Sequence, residues 1–215
     1  MTAASVSQPL PDRLPFLDER AKARAVAAVK AFELQTSAEL VVTVRKQVRS
    51  YPEADFAYGS LFAFIILAFL LFYPVDFSTE LMPVDVALAF GVGFGLSRYL
   101  PPLRRLALSV TARRVPVEQA AKAAFYDLGI SRTTGRTGVL VFVSMFEGMV
   151  AIICDVGVTA EARKAAEEAR GLLELALKKS NMNAFAETLE ALGPRFAPTM
   201  ARAEDDVNEL PDDVA

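Results

Sequence analysis

The sequence predicts an α/β fold: a small layered domain with a mixed sheet, interrupted by a two-helix transmembrane hairpin. Three observations predict it. Residues 57–73 read AYGSLFAFIILAFLLFY, with nothing polar between Leu61 and Phe72, and a weaker apolar stretch follows at 84–99. Short β-branched runs stand at 39–45, 139–144 and 149–155, the lengths of strands. Alanine-striped segments with helical spacing surround them.

The chain has 215 residues, enough for one domain of about 150 residues plus a hairpin. Hydrophobic residues make up 53%, and the hairpin accounts for much of the excess over a soluble domain. A net charge of −3 provides no global field for nucleic acid. Histidine is absent, which excludes His-dependent general-base catalysis and HExxH zinc sites. The single cysteine, Cys154, forbids an intrachain disulfide and suits a reducing compartment. The N-terminus lacks a charged region and an apolar core, so no signal peptide is expected.

Residues 1–15 carry three prolines and read as a flexible arm. Asp18 caps a helix to about Gln35, with Ala21, Ala25, Ala28, Val29 and Phe32 as its buried stripe. Residues 39–45 follow as a buried strand. The two apolar stretches then form the hairpin, 57–99. Seventeen residues span roughly 25 Å against a hydrocarbon core of about 30 Å. The connecting loop holds Asp76 and Glu80 and no Lys or Arg, whereas the flanks hold Arg45, Lys46, Arg49, Arg98, Arg104, Arg105, Arg113 and Arg114. The positive-inside rule places both flanks, and both termini, in the cytoplasm. A pair of buried core helices would leave this segregation without a cause. Gly91, Gly93 and Gly95 suit close helix packing.

Residues 100–115 alternate apolar and basic groups and read as an interfacial helix on an anionic membrane surface. Pro116 suits the first turn of the next helix, which Gly129 ends. The strands 139–144 and 149–155 form a hairpin around residues 145–148. Thr159 caps a helix to Lys179, and a final helix covers about 184–192, ended by Gly193–Pro194. Residues 203–215 are an acidic tail. The domain is therefore discontinuous, 16–50 and 116–202, and the hairpin occupies a strand–helix–strand crossover.

Chemistry-bearing residues are sparse. Cys154 lacks the Cys-x5-Arg pattern of phosphatases and reads as a small core residue. In the loop 130–138, Arg132, Thr133, Arg136 and Thr137 form a candidate anion-binding set, the alternative being a plain surface loop. Asp155, at a strand end before Gly157, together with Glu147, is a candidate pair for a hard cation, Ca²⁺ or Mg²⁺.

TSAELVVTV (36–44) and GISRTTGRTGVLVFVSMFEGMVAIICDVGV (129–158) resemble the core of the TPM domain family. That family includes a thylakoid-lumen phosphatase-like protein and a photosystem repair protein. The ending NELPDDV resembles a membrane-integrated bacterial branch. The likeness covers about 16–46 and 116–214. It implies a Rossmann-like α/β/α domain, membrane association, Ca²⁺ binding in some members and a phosphatase activity proposed in one. The sequence departs from the family by carrying the hairpin inside the domain and by lacking an acidic N-terminal segment. The expected function is an interaction or assembly module at the bacterial inner membrane, with the lipid bilayer and an unidentified protein as partners. The alternative is a weak metal-dependent acid phosphatase.

Overall fold

A computed structural model describes residues 18–75 and 77–202. The arm at 1–15, the acidic tail at 203–215 and Asp76 of the loop lie outside the described residues. The chain divides into two compact units. Met1–Val48 and Val115–Ala215 form the first, and Arg49–Arg114 the second.

In the first unit, α1 (Glu19–Glu33) begins where the Asp18 carboxylate accepts from the Arg20 N–H at 2.8 Å. It buries Ala21, Ala25, Ala28, Val29 and Phe32, the stripe that the helical spacing dictates. β1 (Glu39–Arg45), β2 (Gly138–Ser144) and β3 (Met149–Cys154) form a mixed sheet in that order. β1 pairs parallel with β2, Glu39 opposite Gly138, and β3 pairs antiparallel with β2. β2 is central and buried at every position, which is why its GVLVFVS run shows no polar alternation.

Alternate strand residues point to opposite faces. Leu40, Val42, Val139, Val141 and Val143 meet α1, α6 (Ala160–Lys178), α7 (Met182–Glu190) and α8 (Gly193–Phe196). Val41, Leu140, Phe142 and Ala151 meet Val117, Ala121, Ala124 and Phe125 of α5 (Val110–Asp127). This is a three-layer α/β/α arrangement with α5 as the crossover between two parallel strands. The sequence-distant ends close on one another. Thr36 Oγ1 donates to the Met200 carbonyl at 2.8 Å, and the Phe32 and Phe196 rings meet edge-to-face at 5.2 Å.

Two expected boundaries differ. The helix expected to open at Pro116 begins at Val110. Ser109 Oγ accepts from the Ala112 N–H at 3.1 Å, so a good capping residue sets the start. Pro116 then lies inside the helix, where it gives up one backbone bond. The basic segment 100–115 is accordingly not one helix. α4 (Pro101–Ala107) ends at the extended Leu108, and the remainder belongs to α5. Gly193–Pro194 opens the short α8 instead of ending the chain's helices, because proline fits a first turn.

In the second unit, α2 (Pro52–Phe72) and α3 (Met82–Tyr99) pack side by side. α2 has 21 residues, five of them ahead of the apolar run, which gives about 31 Å. It is long and apolar enough to cross a membrane. α3 meets the same test only together with α4, across a bend of 102°. Close approach uses Gly59 and Gly93. A Cβ at Gly59 would stand 2.7 Å from the Phe90 ring, and one at Gly93 2.5 Å from the Tyr58 carbonyl oxygen. Gly91 and Gly95 face open space, so of the three glycines in the run only Gly93 serves the contact. Gly93→Leu is expected to force the helices apart and lower the unit's thermal midpoint in detergent, whereas Gly95→Leu leaves it unchanged.

Candidate functional site

The loop between α5 and β2 is built by its own polar groups. Gly129 takes a left-handed conformation (φ 69°) that ends α5, and a 3₁₀ turn, Ile130–Arg132, follows. Thr133 Oγ1 accepts from the Thr137 N–H at 3.2 Å, and the Arg136 N–H donates to the Thr133 carbonyl at 3.0 Å. Arg136 itself sits at φ 53°, a conformation costly for a residue with a Cβ. What holds it there is Asp155. Arg136 Nε and Nη2 donate to the two carboxylate oxygens at 2.7 and 2.9 Å. The Val156 N–H adds a third bond at 2.7 Å. Arg163 donates to the carbonyls of Cys154, Asp155 and Val158, fixing the turn below. Gly157 is required here, since a Cβ would run into the Gly135 and Arg136 carbonyl oxygens.

This wiring decides what the loop can do. The Arg136 guanidinium is already matched by a carboxylate, so Arg132 and Arg136 do not converge as two open cations. Arg132 is exposed, while Thr133 is buried within the loop. Thr133, Arg136 and Thr137 belong to one assembly, and its partner is Asp155.

Glu147 lies elsewhere. It is fully buried in the β2–β3 turn, where Ser144 Oγ donates to it and the Val48 N–H approaches at 3.3 Å. β3 separates it from Asp155 by six residues, about 20 Å, so the two carboxylates do not share an ion. Among the described residues no group of three His, Cys, Asp or Glu side chains is placed to hold a metal. The strand direction also matters. Ligand groups in open α/β sheets gather at the carboxyl ends of parallel strands. Because β3 runs antiparallel, Asp155 stands at the amino end of β2, where its N–H donates to the Gly138 carbonyl at 2.9 Å. At the carboxyl end a shallow cleft of about 270 Å³ is lined by Arg45, Gln47, Val48, Ala120, Ala124, Asp127 and Phe142.

The Arg136 hydrogen bonds, opposed by desolvation and aided by the Val156 N–H, hold the Asp155 carboxyl below its usual range. A carboxyl depressed in the folded state adds stability that is complete above its unfolded value of about 3.9. That stability disappears as pH falls through the lower folded value. Arg136 is half exposed, so solvent screening keeps the pair's contribution small. Asp155→Asn is therefore expected to flatten the acid limb of a stability–pH curve below about pH 4.

Burial pushes the Cys154 thiol up to about 11. At pH 8 its thiolate fraction is then roughly 10⁻³. Native protein is expected to react with maleimide about two orders of magnitude more slowly than denatured protein. Stopped labelling read by mass spectrometry checks this.

The second unit holds a polar cluster that the sequence reading did not single out. Asp55, in the first turn of α2, is 1% exposed. Arg104 Nε and Nη2 donate to its two oxygens at 2.9 Å each, Ser97 Oγ donates at 2.8 Å, and Arg98 Nη1 stands 3.6 Å away. The Tyr58 hydroxyl donates to the Leu103 carbonyl at 2.9 Å. One residue from α2, two from α3 and one from α4 thus form a clasp at the α3–α4 bend. The signal in the sequence is a pair of carboxylates, Glu53 and Asp55, opening an apolar helix beside an arginine-rich flank.

No protein-family model matches the chain, and neither does any curated protein. Among solved structures, the chain is similar to the BA42 protein from the psychrophilic bacterium Bizionia argentinensis, determined by NMR. The identity is 18%, covering 94% of this chain and 95% of that one, with a TM-score of 0.56. At that identity the likeness concerns the fold.

Proposed function

We propose that this chain is a membrane-integrated, TPM-like interaction module. In this reading the second unit is a transmembrane hairpin and the first unit an α/β/α assembly domain at the cytoplasmic face of a bacterial inner membrane. The observation that carries the proposal is the inverted apolar surface of the second unit. α2 exposes Leu61, Phe64, Ile65, Phe69, Leu71 and Phe72, with Phe64 69% and Phe72 85% exposed. A single soluble unit rarely exposes so continuous an apolar patch, and hydrocarbon is the solvent that suits it. The charged groups of the two helices stand at their ends, in the Asp55 clasp at one end and at Asp85 in the first turn of α3 at the other, with the apolar run between them.

An interaction role is favoured over hydrolysis because Asp155 spends both oxygens on Arg136 and the Val156 N–H, while Glu147 is buried at the far end of the sheet. A metal-dependent phosphatase built on this pair would need one of the two carboxylates open to an ion or water.

Topology tests the proposal. With Cys154 replaced by Ala, Ser78→Cys in the α2–α3 loop is expected to react with an impermeant maleimide on intact spheroplasts. Ser109→Cys is expected to react only after permeabilisation. The opposite pattern would reverse the orientation, and release of the protein from membranes by alkaline carbonate would end the anchor reading.

A further inference from the structure

We propose that the cleft between the end of β1 and α5 binds a short zwitterionic peptide, a dipeptide with both termini free. The site lies within the first unit, so the inference goes beyond the membrane reading and does not rest on it. Two side chains of opposite charge line the cleft: Arg45, the last residue of β1, and Asp127, the last residue of α5. Both are exposed. Neither side chain forms an ion pair or hydrogen bond with another described residue, and the two do not pair with each other. A guanidinium and a carboxylate that share a cleft without pairing suit a ligand that brings a counter-charge to each.

The walls set the size and kind of ligand. Ala120, Ala123, Ala124 and Asp127 recur at helical spacing along the cleft, so one face of α5 forms a wall roughly 10 Å long. Phe142 of β2 adds apolar surface, and such walls suit methyl groups. The volume of about 270 Å³ is below the roughly 300–1,000 Å³ of pockets for drug-sized ligands, so the occupant is small. The negative end of the α5 dipole adds to Asp127, which assigns the ammonium to that side. Arg45 takes the carboxylate, which a guanidinium grips through two parallel N–H bonds. Arg45 also stands at the carboxyl end of the parallel strands, where α/β sheets gather ligand groups. A single amino acid carries both charges on one carbon. A dipeptide sets them about 3.5 Å further apart, which suits two protein charges that do not meet.

The test uses the full chain, purified in a nonionic detergent, and equilibrium dialysis against radiolabelled Ala-Ala. Saturable binding is expected. N-acetyl-Ala-Ala, which lacks the ammonium, and Ala-Ala-amide, which lacks the carboxylate, are each expected to compete about tenfold less well, as is free alanine. Asp127→Asn is expected to erase the preference over the acetylated peptide alone, and Arg45→Gln the preference over the amide alone. Both positions are exposed, so neither change threatens the fold. Ala123→Leu, also at an exposed position, is expected to fill the cleft and abolish binding without touching either charge. Absence of saturable binding would overturn the proposal. So would equal competition by the capped peptides, by free alanine, or full binding by Ala123→Leu. Preferences that survive in both charge variants would place the peptide elsewhere and overturn it as well.

Discussion

Asp55→Ala is expected to destabilise the second unit by about 3–5 kcal/mol. The substitution removes the acceptor for two Arg104 hydrogen bonds and leaves that guanidinium, 11% exposed, without its counter-charge. Ser97, fully buried, loses its acceptor as well. The asymmetry of buried ion pairs makes the experiment specific. Removing one partner is costly, whereas Asp55→Ala combined with Arg104→Met is expected to recover most of the loss. Thermal or denaturant midpoints in detergent measure both. A neutral Asp55→Ala would show that the clasp does not hold the α3–α4 bend.

Phe32→Ala is expected to cost the first unit about 3–5 kcal/mol. Phe32 is fully buried, and its ring meets Phe196 edge-to-face at 5.2 Å, a contact worth about 0.5–1.5 kcal/mol beyond burial. The loss is a large part of a typical domain stability of about 5–15 kcal/mol. These two residues flank the hairpin in sequence, one before β1 and the other after α7. Their contact therefore reports whether the two halves of the unit close on each other, as do Thr36 and Met200 nearby. Leu34→Ala, at a side chain 70% exposed, is the control and is expected to shift stability by less than about 0.5 kcal/mol. If the two variants unfold at the same urea concentration, the halves do not depend on each other through this contact.

Where a residue's role follows from its near neighbours in sequence, it was legible. The α1 stripe, the Thr159 cap, the Gly129 stop and the buried run of β2 each declare themselves within a few positions. Asp155 shows the limit. A carboxylate ending a strand before a glycine suggested a ligand position, but the direction of β3 moves it to the amino edge of the parallel pair. The same reversal puts Glu147 at the other end of the sheet. Loop composition identified Arg136 as chemically notable, but its pairing depends on a left-handed backbone that only the folded loop reveals. Pro116 misled for a local reason: proline suits a first turn, but the helix starts six residues earlier, where Ser109 caps it. The Asp55 clasp was illegible because its members stand 42 and 49 residues apart, and no periodicity links them.

The central claim is that a self-sufficient α/β/α unit is interrupted by an independent membrane hairpin. Excising Arg49–Arg114 and joining Val48 to Val115 through a flexible linker of about 12 residues, a reach of roughly 20 Å, tests it most directly. The cut also places Pro116 in the first turn of the shortened α5, where its missing N–H costs nothing. The account predicts a soluble, monomeric protein with cooperative urea unfolding and slow Cys154 labelling in the native state. An insoluble product, or a soluble one without a cooperative transition, would show that the hairpin is part of the core.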